Sequence, residues 1–217
     1  MSLKISICVP SHNRDHYLGR ALRSLIDQTF PRNEYEIIVV DDGSTDKTSL
    51  VLKTFKDEIK IIKNKKNLGL SKSLNKALKI ARGRYFIRVD SDDYVNSDYL
   101  NFLYQILNYN KEKYSASCCD YYLVNDNEKI LKKCNSIKEP IGCGILFKIE
   151  DILAVGMYSE NVKLYEEKDL IKKLKKKKHF KIIRLPIPLY RYKYHSNNMT
   201  KKVLSKKVKK WIPRVIT

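Results

Sequence analysis

The chain has 217 residues, enough for one domain that buries most of its apolar surface without disulfides or a structural metal. Its five cysteines, an odd number without CxxC spacing, argue against a disulfide framework and a zinc site. The sequence contains neither a signal peptide nor an apolar run of about 20 residues, so we expect a cytosolic protein. The formal net charge of +20 indicates an anionic partner, but it does not distinguish phosphate, nucleic acid and acidic lipid.

The first half of the chain alternates between apolar strands and amphipathic helices. Short apolar runs predict strands over the ranges 5–9, 37–40, 59–62 and 85–89. Between them, apolar residues recur at helical spacing and predict helices over the ranges 17–28, 48–55 and 71–81. Asp15 is a candidate cap for the first of these helices. This alternation predicts an α/β fold with a mostly parallel sheet flanked by helices.

The second half is less regular, because the alternation of strand and helix weakens after Leu107. Residues 115–133 predict a strand pair, and a helix is expected to begin near Tyr165. We assign residues 1–200 to one domain and residues 201–217 to a basic amphipathic tail. Such a tail rests peripherally on the inner face of an anionic membrane or docks on its own domain, and the sequence leaves both interpretations open.

Three polar clusters follow the predicted strands directly: PSHN at 10–13, DDGSTD at 41–46 and DSDD at 90–93. Because ligands of an open α/β sheet bind beyond the carboxyl ends of its strands, these clusters predict one carboxylate-rich site. An isolated DDGS is as often a plain turn or helix cap, but a second acidic cluster at a neighbouring strand end weakens that interpretation.

Carboxylates gathered in this way repel one another unless a cation binds among them. Their hard oxygens suit Mn²⁺ or Mg²⁺, and Mg²⁺ prefers one or two carboxylates together with phosphate oxygens. Neither a P-loop nor a GxGxxG fingerprint occurs, which disfavours kinases and nicotinamide enzymes. The pattern therefore predicts a nucleoside diphosphate held with a divalent metal.

Three segments of the chain resemble family 2 glycosyltransferases of the GT-A fold: ISICVPSHNR, EIIVVDDGSTD and NLGLSKSLNKALKIARGRYFIRVDSDD. They span most of residues 4–93 in the order of the family. The resemblance implies a Rossmann-like GT-A domain that moves a sugar, with inversion, from a nucleotide-diphosphate donor to a hydroxyl acceptor. The implied donor is a UDP-sugar, since uridine is the commonest base in the family, and the implied acceptor is a saccharide or a lipid-linked molecule. Polysaccharide or glycolipid synthesis is then the expected role, without a nucleic-acid partner.

The resemblance also implies the site residues. The residues expected to bind the nucleotide-sugar come from all three segments: Pro10, Ser11, Asn13, Asp41, Asp42, Asn67, Asp90 and Ser91. Asp92 of the DxD motif is the implied metal ligand, and His195 is a second ligand, from a segment that closes over the diphosphate. Asp93 either assists the metal or orients its neighbour.

The segment YEEKDL at 165–170 resembles the part of the family that carries the general base, where the second acid removes the proton of the acceptor. Glu167 occupies that position instead of the usual Asp. Asp169 is the rival, but Glu167 shares the apolar stripe of Leu170 and Leu174, whereas Asp169 leads into lysines and should face water. We predict that Glu167 is the base and that nearby lysines keep it ionised. The alternative is an ordinary acid in the first turn of a helix.

Residues 142–147 occupy the place where the family builds part of its acceptor site, and a turn followed by a core strand is the equal alternative. Three other functions remain open from the sequence. They are a nucleotidyltransferase, an inactive homologue that binds nucleotide, and a basic nucleic-acid-binding module, which leaves the acidic clusters unexplained.

Overall fold

Within residues 3–177 and 179–194, the part of the chain that the computed structural model describes, there are nine strands and six α-helices. The strands are β1 (Ile5–Ser11), β2 (Tyr35–Asp41), β3 (Lys60–Lys63), β4 (Tyr85–Arg88), β5 (Tyr94–Val95), β6 (Ala116–Val124), β7 (Ile130–Cys134), β8 (Ile145–Lys148) and β9 (Ile182–Lys193). The helices are α1 (Asp15–Ile26), α2 (Thr48–Thr54), α3 (Leu70–Ile80), α4 (Tyr99–Tyr109), α5 (Ile149–Ala154) and α6 (Glu166–Leu174).

The first four strands form the parallel part of the sheet, in the order β3-β2-β1-β4. The register places Ser11 of β1 opposite Asp41 of β2, so both strands end at the same edge. The predicted alternation of strand and helix over this half of the chain is confirmed. Parallel strands have to be joined by crossovers, and the predicted helices supply them.

The remaining strands continue the same sheet with mixed directions. β8 is antiparallel to β4 and to β6, whereas β6 and β9 are parallel. The predicted strand pair is confirmed as β6 and β7, which are antiparallel. Short β5 pairs with the far end of β9, which brings β9 next to the residues that follow β4.

Helices cover both faces of the sheet. Alternate residues of β1 point to opposite faces, so Ile7 belongs to one apolar cluster with Leu22 of α1 and Leu103 of α4, whereas Cys8 belongs to another with Leu74 of α3 and Leu170 of α6. Strands buried on both faces read as continuous apolar runs, as the sequence of β1 and β2 does. The α/β fold expected from the sequence is confirmed.

Two details differ from the expectations. Asp15 is the first residue of α1 and not its cap, and its N–H donates to Asp46 Oδ2 at 3.2 Å. Every helix of the described residues is too short or too polar to cross a bilayer. His195 and the tail from 201 lie outside the described residues, so the tail helix, its membrane contact and the cellular location stay predictions.

Candidate active site

The ends of β1, β2 and β4 open into one cleft of about 540 Å³. Most of the residues predicted to bind ligand line it: Pro10, Ser11, Asn13, Asp42, Asn67, Asp90, Ser91, Asp92 and Glu167. Asp41 does not line the cleft, and His195 is not among the described residues. Sequence reasoning missed several residues that also line it: Arg14, Arg88, Lys163, Tyr165 and Glu166.

The carboxylate of Asp42 holds the loop that precedes α3. Its Oδ1 accepts hydrogen bonds from Asn64 Nδ2 at 2.7 Å and from the N–H of Leu68 at 2.8 Å, and its Oδ2 accepts from the N–H of Gly69 at 2.8 Å. Gly43 has φ of +71°, and a Cβ there would lie 2.5 Å from the carbonyl carbon of Lys66. The DDG sequence therefore places the loop that carries Asn67, and Asp42 has little capacity left for a ligand.

Asn13 ties the loop after β1 to the loop after β2. Its N–H donates to Ser44 Oγ at 3.0 Å, and its Oδ1 accepts from the N–H of Thr45 at 2.8 Å. Asn13 has φ of 53°, a left-handed conformation that asparagine adopts more readily than most residues. The two loops thus form one wall of the cleft.

Two buried polar atoms at this wall lack a hydrogen-bond partner within residues 3–177 and 179–194. They are Ser11 Oγ and Asp41 Oδ2, on residues that face each other in the register of β1 and β2. The other oxygen of Asp41 accepts from the N–H of Ser44 at 2.9 Å. Because buried polar groups are normally paired, Ser11 Oγ is a candidate contact for a polar ligand, since Ser11 lines the cleft and Asp41 does not.

The three aspartates of DSDD have different surroundings. Asp93 is 1% exposed, and its carboxylate accepts from the hydroxyl of Tyr190 at 2.7 Å and from the N–H of Lys193 at 2.8 Å. Burial, together with the charges of Asp92 and Asp90, raises the pKa of Asp93 well above its usual range. Asp93 thus holds β9 in place and does not line the cleft. Its position favours a role in orienting its neighbour over a role in binding the metal.

Asp92 and Asp90 do line the cleft, and each lies beside an arginine. Asp92 Oδ2 lies 3.4 Å from Arg14 Nε, and 15% of the side chain of Asp92 is exposed. Burial raises the pKa of Asp90, and the charge of Arg88 opposes this shift. The two carboxylates offer hard oxygens at the cleft, the donor type that Mn²⁺ and Mg²⁺ prefer.

Arg88, at the end of β4, contacts acids on both sides of the cleft. Its Nε and Nη2 donate to the two oxygens of Asp90, at 2.5 and 3.0 Å. Its Nη1 donates to Glu166 Oε1 at 2.7 Å and to Glu167 Oε1, with the carbonyl of Gly142 at 3.4 Å. The sequence signal was an arginine inside a strand that is otherwise apolar, and it was overlooked.

Glu167 is 5% exposed in the first turn of α6. Burial raises its pKa to about 8; the charge of Arg88 lowers it, and that of Glu166 raises it further. The cation beside Glu167 is therefore an arginine, and not one of the lysines we expected, and burial outweighs it, so the raised pKa favours the protonated acid over the ionised form that we expected. Tyr165, which precedes the helix, has φ of 61°, a strained conformation of the kind that clusters at functional sites.

Asp169, the rival base, lies away from the cleft. Its Oδ2 accepts a hydrogen bond from Ser159 Oγ at 2.6 Å and lies 3.4 Å from Lys173 Nζ. The predicted inward position of Glu167, on the same buried stripe as Leu170 and Leu174, is confirmed.

Gly142 explains how the loop before β8 approaches Glu167. A Cβ at this position would lie 2.7 Å from Glu167 Oε2, so only glycine leaves this carboxylate in place. The stretch 142–147 combines the two alternatives considered for it, since Gly142 lines the cleft and the following residues enter the core strand β8.

The parallel strands, with polar residues at their carboxyl ends around one cleft, define an α/β protein with a ligand site at the edge of its sheet. The model of glycosyl transferase family 2 matches residues 6–164, and the chain belongs to this family.

Curated relatives and solved structures agree with this assignment. The chain is 40% identical over 117 residues to a poly(ribitol-phosphate) beta-glucosyltransferase of Bacillus spizizenii, covering 52% of this chain and 18% of that protein. It is also 40% identical over 101 residues to the poly(ribitol-phosphate) beta-N-acetylglucosaminyltransferase TarS of Staphylococcus aureus, covering 45% and 18%. The chain thus spans about a fifth of the length of these relatives.

Two solved structures share the fold. A 1–349 fragment of S. aureus TarS in complex with UDP-GlcNAc superimposes with a TM-score of 0.76 at 23% identity, covering 92% of this chain and 61% of that one. The mannosyltransferase PcManGT of Pyrobaculum calidifontis, in complex with GDP-Man and Mn²⁺, gives a TM-score of 0.76 at 17% identity, covering 93% and 60%.

Proposed function

We propose that the protein transfers a sugar from a nucleoside-diphosphate donor, a UDP-sugar in the first instance, to a hydroxyl group of its acceptor with inversion. The observation that carries this proposal is the cleft in which the polar end of β1 and the acidic ends of β2 and β4 meet the buried acid Glu167. Family membership and the UDP-GlcNAc complex of the TarS fragment support the same chemistry.

The nucleoside is proposed to lie against the wall built by Ser11 and Asn13. Ser11 Oγ, which is buried and unpartnered within the described residues, can donate to or accept from a base atom, and such a contact removes the cost of leaving it unpaired. Asp41 does not line the cleft and is retained as a proposed contact on the resemblance alone. Asn67 and Asn13, which line the cleft nearby, are the candidates for contacts to the ribose.

The diphosphate is proposed to lie near Ser91 and Asp92. Asp92 fits a divalent metal because it presents hard oxygens at the cleft, and Mg²⁺ or Mn²⁺ commonly binds one or two carboxylates together with phosphate oxygens. When bound, such a metal neutralises the charge that develops on the departing diphosphate. His195 is retained as a proposed second ligand, on the resemblance alone, and the choice between the two metals is open.

Glu167 is proposed to accept the proton of the attacking hydroxyl. Arg88 occupies its Oε1, whereas its Oε2 lies beside Gly142, so the acceptor is expected to approach along this glycine. General-base help of this kind typically contributes roughly 10² to 10⁴ in rate.

The acceptor is proposed to be an anionic cell-wall polymer of the polyol-phosphate type. Relatives that act on poly(ribitol-phosphate) support this choice, as does the formal charge of +20. Lys163 is exposed and lines the cleft, where it can meet a phosphate of such a polymer.

Thermal denaturation with UDP, GDP, dTDP and CMP, each with and without Mn²⁺, tests the donor site. We expect one nucleotide, UDP, to stabilise the protein in a metal-dependent way, by about 2.7 kcal/mol at 100 times its Kd. Asp92→Ala should abolish the metal-dependent part, and Asp57→Ala, an exposed acid outside the cleft, should leave it intact. Stabilisation by no nucleotide, or equal stabilisation of the Asp92→Ala variant, would contradict the proposal.

A further inference from the structure

Arg88 is buried, with 6% of its surface exposed, and it bridges two elements that are far apart in the sequence. Asp90 follows the same strand, whereas Glu166 and Glu167 lie 78 and 79 residues further along the chain, in α6. One guanidinium group therefore joins the donor side of the cleft to the proposed base.

We infer that Arg88 is a positioning residue, which sets the separation between Asp90 and the proposed base Glu167 and does not itself bind the donor. This inference rests on the proposed function of the cleft. In this role Arg88 aligns Glu167 with the reacting sugar.

The hydrogen bonds of Arg88 argue against a direct role in binding the diphosphate. A guanidinium has five N–H groups. The Nε and Nη2 bonds to Asp90 use two of them, and the Nη1 bonds to Glu166 and Glu167 use two more. A single N–H is left, which is less than the bidentate contact that makes arginine a phosphate ligand.

The negative charges of Asp90, Glu166 and Glu167 also require a cation at the position of Arg88. Three carboxylates surround one cation, and removing a buried cation leaves its partners uncompensated. The planar guanidinium allows one side chain to bind acids on two elements, because Nε and Nη2 donate to Asp90 while Nη1 donates to Glu166 in α6. A lysine would keep the charge, but as a compact ammonium it cannot hold this geometry.

Arg88→Lys is therefore the informative variant, and Arg184→Lys is its matched control. Arg184 makes a similar two-point pair with Asp120, which lies outside the cleft, so its loss changes an equivalent contact without touching the site. Release of UDP from the UDP-sugar that the wild type uses is measured with Mn²⁺, together with hydrogen–deuterium exchange of α6.

For R88K we expect kcat to fall about 100-fold, because a misplacement of about 1 Å has this effect, with the KM of the donor within about twofold of wild type. Amides in the first turn of α6 should exchange faster in R88K. R184K should match the wild type in both measurements.

Two kinetic results would overturn the inference. Wild-type kcat in R88K would show that the fork is not needed, and a raised donor KM at unchanged kcat would make Arg88 a donor ligand. If the wild type releases no UDP from any UDP-sugar, the proposed function is contradicted. The role of Arg88 is then tested by hydrogen–deuterium exchange alone, and an unchanged protection of α6 in R88K would overturn the inference. If R88K does not fold, Asp90→Asn, which removes the anchor on β4, should by itself accelerate exchange in α6.

Discussion

The two sides of the cleft are held in different ways. On the proposed donor side, backbone N–H groups hold the two acids that follow β2: Asp41 accepts from the N–H of Ser44, and Asp42 accepts from those of Leu68 and Gly69. On the acceptor side, Glu166 and Glu167 meet the rest of the cluster through one side chain, Arg88. The aspartates after β2 are thus held by several backbone groups, whereas the proposed base depends on a single arginine side chain. Substitutions on the acceptor side should change the rate, and substitutions on the donor side should change stability or donor binding.

Glu167→Gln is expected to have the largest effect. It removes the proton acceptor but keeps the shape of the side chain, so kcat should fall by roughly 10² to 10⁴ while the affinity for UDP is retained. Steady-state kinetics and UDP titration measure the two quantities. Asp169→Asn is the control, because Asp169 does not line the cleft, and an equal loss in both variants would refute the assignment of the base.

Gly142→Ala should have the next largest effect. The new methyl group would lie 2.7 Å from Glu167 Oε2, so the carboxylate has to shift. We expect kcat to fall on the order of 100-fold with unchanged UDP binding. Gly19→Ala, whose Cβ would have 3.7 Å to its nearest neighbour, should behave like the wild type. Full activity of Gly142→Ala would show that the position of Glu167 is not critical.

Asp42→Ala should destabilise the donor side. The substitution removes the acceptor of the Leu68 N–H and one acceptor each of the Gly69 N–H and of the buried amide of Asn64, at a cost of about 1–3 kcal/mol for a buried group that loses its partner. Chemical denaturation measures this loss, with Asp57→Ala as a control that should change stability little. An Asp42→Ala variant as stable as the wild type would show that the hydrogen bonds to Asp42 do not stabilise the loop before α3.

The effect of changing the pH by one unit should be the smallest. Because burial raises the pKa of Glu167 to about 8, its basic form increases as pH rises towards that value, and kcat should increase about tenfold per pH unit below it. The folding stability should change in the opposite direction and decrease as the pH rises. A carboxyl whose folded pKa is raised contributes stability that is present below its unfolded pKa of 4.5 and is lost as pH rises towards about 8. Glu167→Gln should remove this loss, and an unchanged stability profile would contradict the buried position of the acid.

The donor side was largely predictable from the sequence, because its strands are continuous apolar runs and each one ends in a polar cluster. The internal role of Asp42 was not predictable, since its partners lie 22 to 27 residues further along the chain and only the folded loop brings them together.

The second half was harder to predict for physical reasons. β9 contains Pro186 and Pro188, which cannot donate to a ladder, and its register with β6 shifts near Asp120. The helix α4 was missed although Leu100, Leu103 and Leu107 recur at helical spacing. Arg88 was missed because a polar residue in a strand gives no sign of which distant acids it will meet.

The central claim is that this cleft is the active site of an inverting glycosyltransferase. The most direct test is proton NMR of a mixture of the protein, UDP-GlcNAc or UDP-glucose, Mn²⁺ and poly(ribitol-phosphate). We predict that the α-linked donor is consumed and that a β-linked sugar appears on the polymer, with Glu167→Gln slowing both. An unconsumed donor, or an α-linked product, would contradict the account.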